Sequence, residues 1–251
     1  MPQPRSKIIN RGQYDAVLFD LDGVITDTAS LHARCWKQTF DEYLLKRATQ
    51  KGEAFRPFDA GTDYRLYVDG KPRFDGVRDF LASRGIALPE GNLEDPPEAA
   101  TVCGVGNRKD DLVNHAITET GVKPYEGSVR FIHQLRRDGF KIAVVTSSQN
   151  CAAVLEAAKL DEFFKVRVDG HVIHEQRLAG KPAPDTFLLA ARLLGVSPIR
   201  TVVIEDALSG VEAGSKGNFG LVIGIARKGN AEELKHHGAN LVVCDLAELM
   251  D

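Results

Sequence analysis

Residues 17–19, Val-Leu-Phe, form a short apolar run after Ala16 that ends in acid: Asp20, Asp22 and, beyond Gly23, Asp27. An apolar run this short reads as a strand buried on both faces, as in a parallel sheet. In a strand, residues two apart point the same way, and open α/β sheets bind their ligands at the carboxyl ends of parallel strands. Asp20 and Asp22 are therefore expected to face one pocket. Two such carboxylates repel unless a cation or a shared proton intervenes, which predicts a hard divalent metal together with acid/base chemistry. A calcium-binding loop also begins Asp-x-Asp-Gly, but its fifth and twelfth positions here would be Val24 and Leu31, and neither carries the oxygen required.

The remaining chain changes character twice. From Asp27 or Thr28, either of which can cap a helix, a helical pattern runs to about Arg47, with Thr28, His32 and Trp36 on one face at four-residue spacing. Residues 46–73 read as loops with short helices, Asp75 to Gly85 as a helix, Pro89 to Gly106 as a loop made flexible by Gly104 and Gly106, and Arg108 to Thr120 as a helix. From Glu126 onward, apolar strand patterns at 142–145, 202–204, 221–225 and 241–243 alternate with helical ones, and Asp169-Gly170 suggests a hairpin or short strand. Such alternation predicts an α/β fold, a parallel sheet with helices on both faces. One strand thus stands before roughly ninety largely helical residues and the other strands come after them, so an α-helical cap inserted into an α/β core accounts for the order. The expected divisions are a flexible tail at 1–12, a core at 13–27 with 123–251, and a cap at 28–122.

Charge narrows the partners. With 32 basic and 35 acidic residues the formal net charge is −3, so no global field favours nucleic acid or an anionic membrane. The N-terminal stretch lacks the apolar core of a signal peptide and no segment approaches the length of a membrane span, which predicts a cytoplasmic location. Cys35, Cys103, Cys151 and Cys244 are scattered without a Cys-x-x-Cys pair, so they read as reduced thiols, with Cys151 as a small semi-buried filler. A single inserted cap needs no second subunit, and a monomer is expected.

Three further groups stand at strand ends. Thr146, Ser147 and Ser148 follow the strand at 142–145, where hydroxyls and free backbone N–H groups suit a phosphate. Lys181 is displayed from Gly-Lys-Pro-Ala-Pro-Asp, a loop stiffened by two prolines, and would hold an anionic nucleophile and a phosphoryl group together. Glu205 and Asp206 end the strand at 202–204 and add hard oxygen ligands. Acids, hydroxyls and a lysine at the ends of one sheet describe a metal-dependent phosphoryl-transfer site.

In the order Phe-Asp-Leu-Asp-Gly-Val-Ile-Thr-Asp-Thr, Thr146-Ser147, Lys181 and Glu205-Asp206, these motifs resemble those of the haloacid dehalogenase superfamily of phosphotransferases. The resemblance implies a Rossmann-like core, Asp20 as a nucleophile forming an aspartyl phosphate, and Asp22 as general acid/base. It also implies one magnesium ion per site, held by Asp20, the backbone carbonyl of Asp22, Asp206 and Glu205. The cap stretch is similar to that of the β-phosphoglucomutase branch: Thr28, His32 and Trp36 follow at the spacing seen there, Arg73 matches the arginine that grips a distal phosphate, and Lys109 matches a substrate-contacting lysine. Asn150 would complete the phosphate site. The implied activity is sugar-phosphate mutation with β-glucose 1,6-bisphosphate as activator and intermediate; a sugar-phosphate phosphatase on the same scaffold is the alternative. A dehalogenase and a catalytically silent metal-binding protein fit the second acid and the intact motifs less well.

Overall fold

The computed structural model describes residues 8–227 and 229–250. Its centre is a six-stranded, all-parallel sheet in the order β3-β2-β1-β4-β5-β6. The strands are β1 (Ala16–Phe19), β2 (Lys141–Val145), β3 (Val166–Val168), β4 (Thr201–Glu205), β5 (Leu221–Ile225) and β6 (Leu241–Val243). Every residue of β1, β4 and β5 is buried, as expected of strands covered on both faces. The chain runs outward from β1 through β2 to β3 and then crosses back to β4 on the other side of β1, so the acid-bearing strand lies at the switch point where such sheets bind ligands.

Alternation along β1 assigns the helices. Leu18 joins the apolar cluster formed with Phe187 of α7 (Asp185–Leu194) and Val211 of α8 (Leu208–Lys216). Phe19 points the other way and meets Phe131 of α4 (Glu126–Arg137) edge-on at 6.3 Å. Shorter helices, α5 (Cys151–Ala157), α6 (Gly170–Glu175) and α9 (Ala231–His236), complete the β-α repetition.

Contacts divide the chain into two compact units, Met1–Asp27 with Val122–Asp251, and Thr28–Gly121. The second unit contains α1 (Ala29–Lys51), one π-helical turn at Tyr64–Val68, α2 (Arg73–Ser83) and α3 (Val102–Thr120). It has its own core, in which Phe40 stacks on Trp36 (5.0 Å) and packs against Phe80 (4.2 Å). Truncating Phe40, fully buried, would cost about 3–5 kcal/mol.

Local readings needed correction in four places. The loop expected over Pro89–Gly106 gives way to helix at Val102, because Thr101 caps it by accepting the Gly104 N–H (2.9 Å). Gly104 and Gly106 are there for close packing rather than flexibility: a Cβ would lie 2.5 Å from the Ala99 carbonyl oxygen in the first case and 2.7 Å from the Phe74 ring in the second. Of the two readings around Asp169-Gly170 the short strand, β3, is present and the hairpin is not: β3 is parallel to β2, and the Asp169 carboxylate caps α6 by accepting the N–H groups of His171 (3.0 Å) and Val172 (3.1 Å). α9 carried too short a pattern to be read from the sequence. Finally, the tail expected over 1–12 lies outside the described residues for 1–7, whereas residues 10–12 are anchored: Arg11 pairs with Asp15 (3.2 Å), and Arg200 donates to the carbonyls of Arg11 and Gly12.

Cys35, Cys103 and Cys151 are buried, and burial pushes all three thiols up, Cys151 to about 12; Cys244 is exposed. Cys151 is thus the inert filler expected. Alkylation of the native protein at mildly alkaline pH should modify Cys244 alone, and a second native-state adduct by mass spectrometry would contradict this burial. No described helix is long and apolar enough to cross a membrane.

Candidate active site

β1 delivers Asp20 one residue past its last paired position, between the ends of β2 and β4. The Asp20 N–H donates to the Ile204 carbonyl (3.0 Å), so the sheet itself fixes the carboxylate's origin. Asp20 is 5% exposed. Lys181 Nζ reaches into the same place and donates to Asp20 Oδ1 (2.6 Å), to Glu205 Oε1 (2.7 Å) and to the Val145 carbonyl (3.2 Å). These acceptors come from the ends of β1, β4 and β2, so one ammonium ties three strand ends together.

Glu205 has both oxygens engaged, the second accepting the Ala207 N–H (2.8 Å). It is fully buried and holds Lys181, and it is also one of the three acids, with Asp20 and Asp206, whose oxygens lie close enough together to hold a metal. Space for that carboxylate is made by Gly210, where a Cβ would lie 1.7 Å from Glu205 Oε1. Gly210→Ala is accordingly expected to displace Glu205 and Lys181 and to lower turnover about 10²-fold, although alanine favours the helix; unchanged kcat would contradict the arrangement.

The chain leaves Asp22 through a tight turn. Gly23, at φ +91°, donates its N–H to the Thr26 carbonyl (2.7 Å), while Leu21 accepts the N–H groups of Ile25 (2.9 Å) and Thr26 (3.0 Å). No side chain fits at Gly23, because the Asp206 carboxylate lies 2.0 Å from where a Cβ would be. Asp206 is thereby pressed against the turn that follows Asp22. Thr146 makes a long contact, 3.5 Å, from its hydroxyl to Asp22 Oδ2.

Asp20, Glu205 and Asp206 each offer an oxygen within 4.8 Å of the others. Burial pushes the Asp20 carboxyl well above the usual carboxylate range; the Lys181 ammonium opposes this, and the charges of Glu205 and Asp22 reinforce it. Burial alone would lower Lys181, yet the Asp20 and Glu205 carboxylates outweigh it and hold the ammonium above its ordinary value. Four acids around one cation leave an excess of negative charge carried by hard oxygens, which fits a divalent metal such as magnesium. Asp20, Glu205 and Asp206 are the acids whose oxygens lie close enough together to hold it.

The other expected residues divide. Thr146 and Ser148 spend their hydroxyl oxygens on the turn after β2, accepting the N–H groups of Ser148 (3.1 Å) and Asn150 (3.1 Å) respectively. These two bonds brace the turn itself, ahead of α5, whose N-cap position is Asn150; Ser147 shares the turn. Within Thr28–Gly121, Thr28, His32 and Trp36 are buried on one face of α1. Thr28 occupies the N-cap position without a side-chain cap bond, contrary to expectation. Lys109 Nζ lies 2.8 Å from His32 Nδ1 and 5.3 Å from the centroid of the Trp36 ring. Trp36 is a core residue, stacked on Phe40. Arg73 is engaged inside the same unit, by Asp110 (2.8 Å) and Asn107 (3.3 Å). Sequence reasoning missed Tyr125, Ser128, Gly210 and Arg227; of these, Arg227 alone carried a signal, as a cation two residues beyond a strand end.

A model of the haloacid dehalogenase-like hydrolases matches residues 14–218. The chain is 51% identical over 253 aligned positions to a protein of Mycobacterium bovis named β-phosphoglucomutase, covering 99% of this chain and 97% of that one. It is 32% identical to a Bacillus subtilis protein of the same name, covering 83% of each. A crystal structure of β-phosphoglucomutase from Clostridium difficile superposes with a TM-score of 0.72 at 26% identity, covering 94% of this chain and 93% of the other.

Proposed function

From the premise that this chain belongs to the haloacid dehalogenase-like hydrolase family, we propose that it is a magnesium-dependent mutase that interconverts β-glucose 1-phosphate and glucose 6-phosphate. The observation that carries the reading is the Asp20–Lys181–Glu205 triad with Asp22 and Asp206 beside it, taken with the extent of identity to the mycobacterial relative.

Asp20 is the nucleophile. In the forward sense its oxygen bonds to phosphorus as the ester P–O bond breaks, giving an aspartyl phosphate; in return, a sugar hydroxyl displaces Asp20. Asp22 donates a proton to the departing oxygen and removes one from the attacking hydroxyl. Lys181 holds Asp20 Oδ1, leaving the second oxygen for attack, and its charge offsets that of the incoming phosphoryl group. Magnesium bound by Asp20 and Asp206 would supply the further positive charge that lets a dianion approach these acids. Ser147, on the turn after β2, would receive the transferred phosphoryl oxygens.

A mutase passes through β-glucose 1,6-bisphosphate, whose second phosphate needs its own cation. The reading assigns it Arg73 and Lys109, with His32 orienting Lys109 and Thr28 and Trp36 in the supporting face of α1. Asp110 and Asn107 hold the Arg73 guanidinium in place, and a guanidinium is the group suited to a phosphate. Arg73→Ala should lower mutase kcat/KM by about 10²-fold while hydrolysis of a small aryl phosphate changes little; equal losses in the two assays would remove the distal-phosphate role.

A further inference from the structure

The turn that carries Asp22 presents three successive carbonyls, those of Gly23, Val24 and Ile25, away from the acids, and each is held. Arg227 Nε donates to Gly23 (3.1 Å), the Ser128 hydroxyl to Val24 (2.6 Å), and the Tyr125 N–H to Ile25 (2.9 Å). These three holders are themselves joined through one side chain. A second guanidinium nitrogen of Arg227 donates to the Ser128 hydroxyl (3.4 Å), and its plane lies 3.6 Å from the centroid of the Tyr125 ring. The remaining nitrogen is anchored by the Cys244 carbonyl (3.2 Å) and Asp245 (2.7 Å), just after β6.

We propose that Arg227 is a positioning residue that sets the Asp22 turn, and through it the Asp206 carboxylate pressed against Gly23. The inference rests on the reading of Asp20, Asp22 and Asp206 as the reacting site. Its physical content is register. The turn's inward bonds, from Gly23 to Thr26 and from Ile25 and Thr26 to Leu21, fix its shape; the three outward carbonyls, together with the Asp27 N–H that donates to the Lys123 carbonyl (2.9 Å), tie that shape to the surrounding core. Ser128 is fully buried and Arg227 has a side chain 17% exposed, so water competes poorly for these contacts. Tyr125 is tied down in turn by its hydroxyl, which donates to Asp27 (2.9 Å). Burial, reinforced by the bond to Asp27, pushes that phenol far above its usual range, so it remains a donor. Only a planar cation with a fork of N–H groups can bond Gly23, Ser128 and Asp245 together while stacking on Tyr125; lysine can satisfy one or two of them.

The test compares wild type, Arg227→Lys, Arg227→Met and Asp245→Asn. Asp245→Asn weakens the anchor of the guanidinium but leaves its bond to Gly23, so it reports the purely structural share. Four quantities are read: kcat and KM for p-nitrophenyl phosphate, the rise in Tm on adding magnesium, and amide hydrogen exchange at Gly23, Ile25 and Thr26. Both Arg227 variants should lose about 10-fold to 10²-fold in kcat with KM within about twofold, as expected of misplaced reacting groups. They should also show a smaller magnesium-induced rise in Tm and faster exchange at the three amides. Asp245→Asn should lower Tm while keeping kcat and exchange near wild type. The inference is overturned if the Arg227 variants retain wild-type kcat and exchange, or if Asp245→Asn matches their losses. If Arg227→Met does not fold, Arg227→Lys decides alone. Absence of magnesium-dependent turnover in wild type would count against the site reading, and the exchange data would still judge Arg227.

Discussion

Asp20→Asn is expected to abolish turnover, by about 10⁴-fold or more, while leaving Tm unchanged or raised. The amide has nearly the shape of the carboxylate but is no nucleophile, so no aspartyl phosphate forms. Stability should move the other way because Asp20 is a buried charge beside Glu205 and Asp22, and burial, which penalises that charge, pushes its carboxyl well above the usual range. Removing it leaves Lys181 still paired with Glu205 at 2.7 Å. Such opposed changes are the mark of a residue kept for chemistry at the expense of the fold. Paired measurements of aryl phosphate hydrolysis and thermal unfolding check both halves; turnover within about tenfold of wild type would remove Asp20 from the nucleophile's place.

Lys181→Met has the second largest effect, and here activity and stability should fall together. Methionine has similar reach but cannot donate to Asp20, Glu205 or the Val145 carbonyl. Two carboxylates would then be buried with their only described cation gone, and breaking a buried pair by removing one partner costs about 3–5 kcal/mol. Lys181 is held above its unfolded pKa, so its contribution is fully present below that unfolded value and disappears only as pH rises through the folded one. Wild type should therefore show no loss of this stabilisation across the neutral range. Chemical denaturation at neutral pH measures the deficit, and a variant as stable as wild type would mean that the triad is not the joint between the three strands.

Much of this site was legible because it is written at the ends of buried strands. Apolar runs such as Val202-Val203-Ile204 have one plausible place in a parallel sheet, and whatever polar residue follows must stand at its carboxyl edge; Asp20, Thr146, Glu205 and Asp206 were found by that reasoning alone. Lys181 was legible as a displayed lysine, though not its clasp on Glu205, since the two are 24 residues apart. What stayed hidden depends on packing across long separations. Gly104 and Gly106 read as a flexible loop because sequence shows the missing side chains and not the Ala99 carbonyl and the Phe74 ring that require them. Trp36 looked like a ligand-facing residue because helical spacing gives a shared face without saying what covers it. Arg227 looked like any strand-end cation, and its bond to Gly23 spans 204 residues.

The most direct measurement of the central claim follows β-glucose 1-phosphate by phosphorus NMR in the presence of magnesium and a trace of β-glucose 1,6-bisphosphate, recording glucose 6-phosphate and inorganic phosphate together. The account predicts that glucose 6-phosphate accumulates well ahead of inorganic phosphate, with neither formed by Asp20→Asn. Inorganic phosphate appearing alone would contradict the mutase and leave a phosphatase built on the same acids.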